Sequence, residues 1–84
     1  MLAHRVLEAA RVQASMSVSD LWLAYFALGG EMRPDGLRSY LADGTGRVEY
    51  DIVAQALNER FSDLGADHPV PYQEELGNGD GSAS

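Results

Sequence analysis

The sequence predicts a small all-α domain of three main helices, with a weaker fourth helix before them and an acidic, disordered tail after them. Three observations predict this fold. Apolar residues recur at spacings of three and four over 34–41 and 48–64, as on a helix with one buried face. Capping residues and glycines bound these segments. The composition, 45% apolar and 23% charged, is that of a globular domain.

The first segment, 1–15, is rich in alanine. Its apolar residues recur at helical spacing, at Ala3, Val6, Leu7, Ala10 and Ala14. This spacing predicts a helix, but small side chains bury little area. We therefore expect 1–15 to be a weak helix or an extension of a domain formed by 16–65. Both Met1 and Met16 are candidates for the start of translation.

The first main helix is predicted from Ser17 to the glycines at 29 and 30. Ser17 and Asp20 have the spacing of a capping box, and glycine supplies the positive φ that ends a helix. Every residue from 21 to 28 is apolar, so this helix is apolar on all sides. A chain of 84 residues buries only about 60% of its unfolded surface.

We therefore expect part of this apolar helix to remain on the surface and to bind another protein. The predicted contact residues are Leu21, Trp22, Tyr25 and Phe26. In the alternative interpretation, the N-terminal helix and the segment 69–72 fold back over this face, which then belongs to the core.

Two further helices follow. Pro34 suits the first turn of one of them, and its inward stripe consists of Leu37, Tyr40 and Leu41. The other is predicted over 47–64, with an inward stripe of Val48, Ile52, Val53, Ala56, Leu57, Phe61 and Leu64. Its outer face is expected to carry Gln55, Asn58, Glu59, Ser62 and Asp63. We expect these two helices to pack as a hairpin, with the first main helix lying across them.

The last segment, 66–84, is expected to be extended at first and disordered towards its end, where Gly, Ser and acidic residues dominate. It begins with the alternating prolines of His68-Pro69-Val70-Pro71-Tyr72, which favour a polyproline conformation. Such a segment either packs Val70 and Tyr72 on the domain's own surface or docks on another protein. The first interpretation is favoured.

The segment 43–50, between two predicted helices, resembles the middle of an EF-hand calcium loop. With Gly46 at the glycine of that loop, the ligand positions hold Asp43, Thr45 and Glu49, and the aliphatic position holds Val48. The first and last ligand positions hold Leu41 and Ile52, which offer no side-chain oxygen. A degenerate EF-hand is therefore one alternative, and a plain turn between helices is favoured.

Charge and composition disfavour several classes of function. There are 13 acidic and 6 basic residues, a net charge of −7, so phosphate backbones and anionic membranes would be repelled. The absence of cysteine and lysine excludes thiolate zinc sites and lysine-containing phosphate loops. No apolar run reaches the roughly 18–20 residues of a membrane span, and the first residues lack a signal-peptide pattern. We therefore expect a cytoplasmic protein.

Two other functions were weighed from the sequence. A helix–turn–helix DNA-binding regulator would read DNA with the helix over 47–64, but four acidic residues outnumber two arginines there. Catalysis is not expected, because His4 and His68 are far apart and no nucleophile, phosphate-loop or metal-ligand pattern accompanies them.

The sequence therefore favours a non-enzymatic protein–protein interaction module, acting as a regulatory or adaptor subunit or by self-association into a homo-oligomer. The acidic surface suits a basic protein partner. No cofactor, metal, membrane or direct nucleic-acid ligand is expected.

Overall fold

The computed structural model of the chain describes residues 2–66 and 69–72. Four helices make up most of this part: α1 spans Ala3–Gln13, α2 Val18–Ala27, α3 Pro34–Asp43 and α4 Tyr50–Asp63. No strand occurs within these ranges, so the predicted all-α class is confirmed. No helix among the described residues has the length and apolar character needed to cross a membrane. The predicted tail from residue 73 onward lies outside the described residues.

Local signals in the sequence set the ends of α2 and α3. The Ser17 hydroxyl accepts a hydrogen bond from the Asp20 backbone N–H at 3.0 Å, and the Asp20 carboxylate accepts one from the Ser17 N–H at 3.4 Å. These bonds complete the predicted capping box. Pro34 opens α3. Gly44 closes it with a φ of +81°, in the left-handed region that glycine enters without strain.

Each helix packs mainly against two others. The main contacts of α1 are with α3 and α4, and those of α2 are with the same two helices. The helices therefore form a ring in which α1 lies opposite α2, and α3 lies opposite α4. Helices α3 and α4 were expected to pack on each other as a hairpin. They are not one of the main contacting pairs among the described helices, because α1 and α2 lie between them.

Helix α1 is part of the core and not an extension of it. Leu7 and Ala14 have no exposed surface, and Ala10 is buried. The small alanine side chains let α1 approach its neighbours closely, so the positions are well buried although each contributes little area. The expectation that 1–15 would be a weakly buried extension was therefore wrong, because α1 packs against both α3 and α4.

Helix α4 begins at Tyr50, three residues later than the predicted start at 47. Glu49, just before it, has φ −75° and ψ 88°, which is outside the helical region. The Glu49 carboxylate accepts a hydrogen bond from the Tyr25 hydroxyl of α2. This contact between α2 and Glu49 keeps residues 47–49 out of the helical conformation, although the apolar spacing predicted that the helix would include them.

A short strap, residues 69–72, runs over α4. Asn58, expected on the outer face of α4, is buried. Its amide nitrogen donates to the Val70 carbonyl at 2.9 Å, and its amide oxygen accepts from the Val70 N–H at 2.9 Å. Val70 is buried and Tyr72 is half-buried, so the strap packs on the domain's own surface, as the favoured interpretation predicted. His68 lies outside the described residues.

Candidate protein-interaction surface

The structure divides the four predicted contact residues between the core and the surface. Leu21 and Tyr25 have no exposed surface and belong to the core. Trp22 is partly buried, whereas Phe26 is 57% exposed. Helix α1 packs mainly on α3 and α4, and the strap is bonded to α4. Neither segment covers Phe26, so the alternative in which both fold over this side of α2 does not hold for that residue.

The outward side of α2 is apolar. Leu23 is 59% exposed, and Ala27 is also exposed. These two positions share one side of the helix with Trp22 and Phe26, since residues three and four apart lie next to each other on a helix. We call these four residues, Trp22, Leu23, Phe26 and Ala27, the α2 ridge.

Sequence reasoning missed Leu23 and Ala27 as surface residues. Because every position from 21 to 28 is apolar, the hydrophobic pattern does not show which side of α2 faces outward. The polar residues at the start of α2 do show the outward side, because a polar residue marks the side of a helix that faces water. Ser19 and Asp20 are exposed, and Leu23 and Ala27 follow them by one and two helical turns.

The two aromatic rings of the α2 ridge support each other. Trp22 and Phe26 are stacked with ring centroids 5.0 Å apart and an interplanar angle of 17°. The Trp22 indole N–H donates a hydrogen bond to the Met32 carbonyl at 2.7 Å, which fixes the indole against the segment between α2 and α3. The exposed Phe26 ring is therefore held on a ring that is itself anchored.

Directly beneath the ridge, the Tyr25 hydroxyl joins three parts of the chain. It donates to the Glu49 carboxylate and accepts from the Met32 N–H at 2.7 Å. The second Glu49 oxygen accepts a hydrogen bond from the Glu31 N–H at 3.3 Å. A Cβ at position 30 would collide with the Tyr25 ring, so Gly30 permits the close approach of the chain to this ring.

The ionisation states around Tyr25 follow from this geometry. Burial raises the pKa of the Tyr25 phenol, and the bond to Glu49 raises it further. The same bond lowers the pKa of the Glu49 carboxyl. At neutral pH the phenol is therefore a protonated donor and Glu49 a charged acceptor, which is the stronger form of this hydrogen bond.

Charged side chains border the α2 ridge. Asp20 lies on the same outer side of α2, and Glu31 follows its C-terminal end; both are exposed. Exposed Arg33 follows Glu31 by two residues, and exposed Arg47 lines a groove together with Glu31. The ridge is thus an apolar strip with a carboxylate, Asp20, beside its start and charges of both signs beyond its end.

The carboxylates of Asp43 and Glu49, expected on calcium-ligand positions, bond different partners and do not converge on one point. The Asp43 carboxylate accepts the Thr45 N–H at 2.9 Å, and hydrogen bonds from Thr45 lower the pKa of Asp43. The Glu49 carboxylate instead turns to Tyr25. Within the described residues, no group of three or more His, Cys, Asp and Glu side chains could hold a metal ion. The geometry of this segment is that of an Asx turn after a helix.

Helix α4, which the disfavoured DNA-binding alternative would use as its reading helix, presents an acidic outer side. The exposed residues of α4 are Asp51, Gln55, Glu59, Ser62 and Asp63. The side chain of Arg60 is half-buried, and its Nε donates to the Ala14 carbonyl at 3.4 Å. A phosphate backbone approaching α4 would meet carboxylates first. Of the two histidines, the structure describes His4, whose ring packs edge-on against the Tyr40 ring with the centroids 6.1 Å apart.

Comparison with protein-family models, with curated proteins and with solved structures finds no match to this chain.

Proposed function

We propose that this chain is a protein-interaction module that docks through the α2 ridge. The observation that carries the proposal is the exposed Phe26, 57% accessible and stacked on an indole that is itself hydrogen-bonded. Rigid aromatic side chains are the usual anchors of protein interfaces, since little conformational entropy is lost when they are buried. Leu23, 59% exposed, extends the apolar strip along the helix.

The partner we propose is a different protein with an apolar surface bordered by basic side chains. Asp20 borders the α2 ridge, and the chain as a whole carries a net charge of −7, so arginines or lysines at the border of the partner would meet opposite charge. Two copies of this chain would bring like charges together, because each carries a net charge of −7. The proposed role is that of an adaptor or regulatory subunit, without a catalytic step.

A site-specific photo-crosslinking experiment tests this proposal. A photoreactive phenylalanine analogue replaces Ala27, inside the α2 ridge, or Ser39, an exposed residue of α3. In cells of the native host, the probe at position 27 should capture a specific protein with a basic surface, and the probe at position 39 should not. The double variant Leu23→Ser, Phe26→Ser should abolish this capture. Trp22 stays in place, because its indole holds the Met32 carbonyl.

The captured protein is then purified and titrated against the chain. Trp22, the single tryptophan of the sequence, lies in the ridge, so its fluorescence should shift on binding. Capture that is equal from positions 27 and 39, or that survives the double variant with its circular dichroism spectrum unchanged, would show that the α2 ridge is not the contact surface.

A further inference from the structure

We propose that the groove between α1 and the strap is a binding site for a small apolar carboxylate. The groove is open on one side and holds about 480 Å³, as two other surface grooves do, but its lining is more apolar than theirs, as in ligand pockets. Its apolar lining comes from three elements: Val6, Ala9 and Ala10 of α1, Phe61 of α4, and Pro69 and Pro71 of the strap. This groove is separate from the α2 ridge, with which it shares no residue.

The wall formed by the strap is fixed and lacks free donors. Asn58 bonds both backbone groups of Val70 at 2.9 Å, and the Tyr50 hydroxyl donates to the Pro71 carbonyl at 2.8 Å. Pro69 and Pro71 have no N–H group. An apolar ligand tail can therefore lie against the strap without leaving a backbone donor of these two residues unpaired.

A cation stands at one end of the groove. Arg5 and Gln13 both line it, and eight residues of helix separate them by about 12 Å. The side chain of Arg5 is exposed. Glu8, the one carboxylate in α1, is paired with Arg11 at 2.6 Å, and among the residues that the structure describes no carboxylate forms an ion pair with Arg5. The Arg5 guanidinium can therefore meet a ligand from the side of the groove.

These features select the chemistry of the ligand. A guanidinium binds a carboxylate with two parallel hydrogen bonds, and the apolar lining at Ala9 and Ala10 takes a hydrocarbon tail. Ala9 is central to this arrangement, since a larger side chain at that position would fill the groove. The geometry thus fits a single carboxylate at Arg5, with an aliphatic or aromatic tail that runs along α1 towards Gln13.

Titration of the full chain with decanoate, followed by NMR and calorimetry, tests the proposal. Decanoate should bind saturably at one site and shift the methyl signals of Val6 and Val70, but not those of Leu23. Decanol, which has the tail without the charge, and acetate, which has the charge without the tail, should both bind more weakly. Arg5→Gln should weaken decanoate binding roughly three- to fivefold, and Arg38→Gln, an exposed arginine of α3, should not.

A second pair of variants tests the location. Ala9→Phe should block decanoate, whereas Ser39→Phe, at an exposed residue of α3, should leave binding intact. The proposal is overturned if decanol binds as tightly as decanoate and Arg5→Gln has no effect, or if the shifts fall on Leu23. Absence of saturable binding at millimolar decanoate overturns it as well. If Ala9→Phe does not fold, the map of methyl shifts in the unmodified chain decides the question.

Discussion

The Tyr25 hydroxyl connects segments that are far apart in the sequence, the Glu49 side chain before α4 and the Met32 backbone before α3. Its ring also fills the space that Gly30 leaves open. A buried phenol of this kind needs both partners, because a polar group without a hydrogen bond in the interior costs free energy. The Tyr25 hydroxyl thus helps to hold the segment between α2 and α3, together with the bonds of Trp22 to the Met32 carbonyl and of the Glu31 N–H to Glu49.

Replacing this hydroxyl should weaken the fold. We expect Tyr25→Phe to lower the free energy of unfolding by about 1–3 kcal/mol, since the Met32 N–H and the Glu49 carboxylate lose their shared partner. Urea unfolding followed by circular dichroism measures the change. Tyr40→Phe is the matched control: its ring contact with His4 is kept, and we expect a change within about 0.5 kcal/mol. Equal losses in the two variants would contradict the role assigned to Tyr25.

The stability should also depend on pH through Glu49. The pKa of Glu49 in the folded chain is lower than its ordinary value of 4.5, so its stabilising contribution is complete above that value and is lost as the pH falls through the folded pKa. Asp43 acts in the same direction, because its pKa is also lowered. The urea midpoint should therefore fall between about pH 5 and pH 2.

The comparison with Glu49→Gln isolates this contribution. The variant should be less stable than the unmodified chain at neutral pH, and its urea midpoint should fall less steeply in acid, because it lacks one of the two carboxylates whose pKa is lowered within the described part of the chain. Identical pH profiles for the two chains would rule out Glu49 as a source of the acid sensitivity.

At the scale of the elements, α4 and the strap stabilise each other through Asn58. We expect Asn58→Ala to lower the free energy of unfolding by roughly 2–4 kcal/mol, since it leaves both backbone groups of the buried Val70 without partners. The Val70 amide should also lose protection from hydrogen exchange. Gln55→Ala, an exposed amide on the same helix, should change stability by no more than about 0.5 kcal/mol. Retained protection at Val70 would contradict the proposed anchoring.

The ends of α2 and α3 could be predicted because they depend on neighbours in the sequence. The Ser17 cap bonds a residue three positions away, and Gly44 needs only its own backbone freedom. The start of α4 could not be predicted in this way, since Glu49 is held by Tyr25 across the fold. The burial of Asn58 was missed for the same reason: its partner, Val70, lies in a different segment.

The candidate surface was predicted in part. The excess of apolar residues in α2 correctly indicated that some of this helix stays exposed, as Phe26 does. Two of the four predicted contact residues, Leu21 and Tyr25, face the core. The apolar run 21–28 does not by itself show which side turns inward; that signal lies in the helical phase of the polar residues Ser19 and Asp20 before it.

For the whole molecule, the ring of four helices makes α1 as necessary as the three helices after it. We expect Leu7→Ala to lower the free energy of unfolding by about 2–5 kcal/mol, because a fully buried side chain is removed from between α1 and its neighbours. Val12→Ala, at an exposed position of the same helix, should cost much less. Thermal and urea unfolding measure both, and similar losses would show that α1 is not part of the cooperative core.

The ring order also has a consequence for biosynthesis. Helix α1 is translated before α3 and α4, the two helices on which it packs. Its apolar side therefore stays exposed to water until these helices have been made. The neighbouring pair α2 and α3 can meet early, whereas α1 must close a long loop, and contacts of this kind slow folding. Until α4 has been made, α1 can meet only α3, one of the two helices that receive it, and the side of α1 that α4 covers stays open to chaperones.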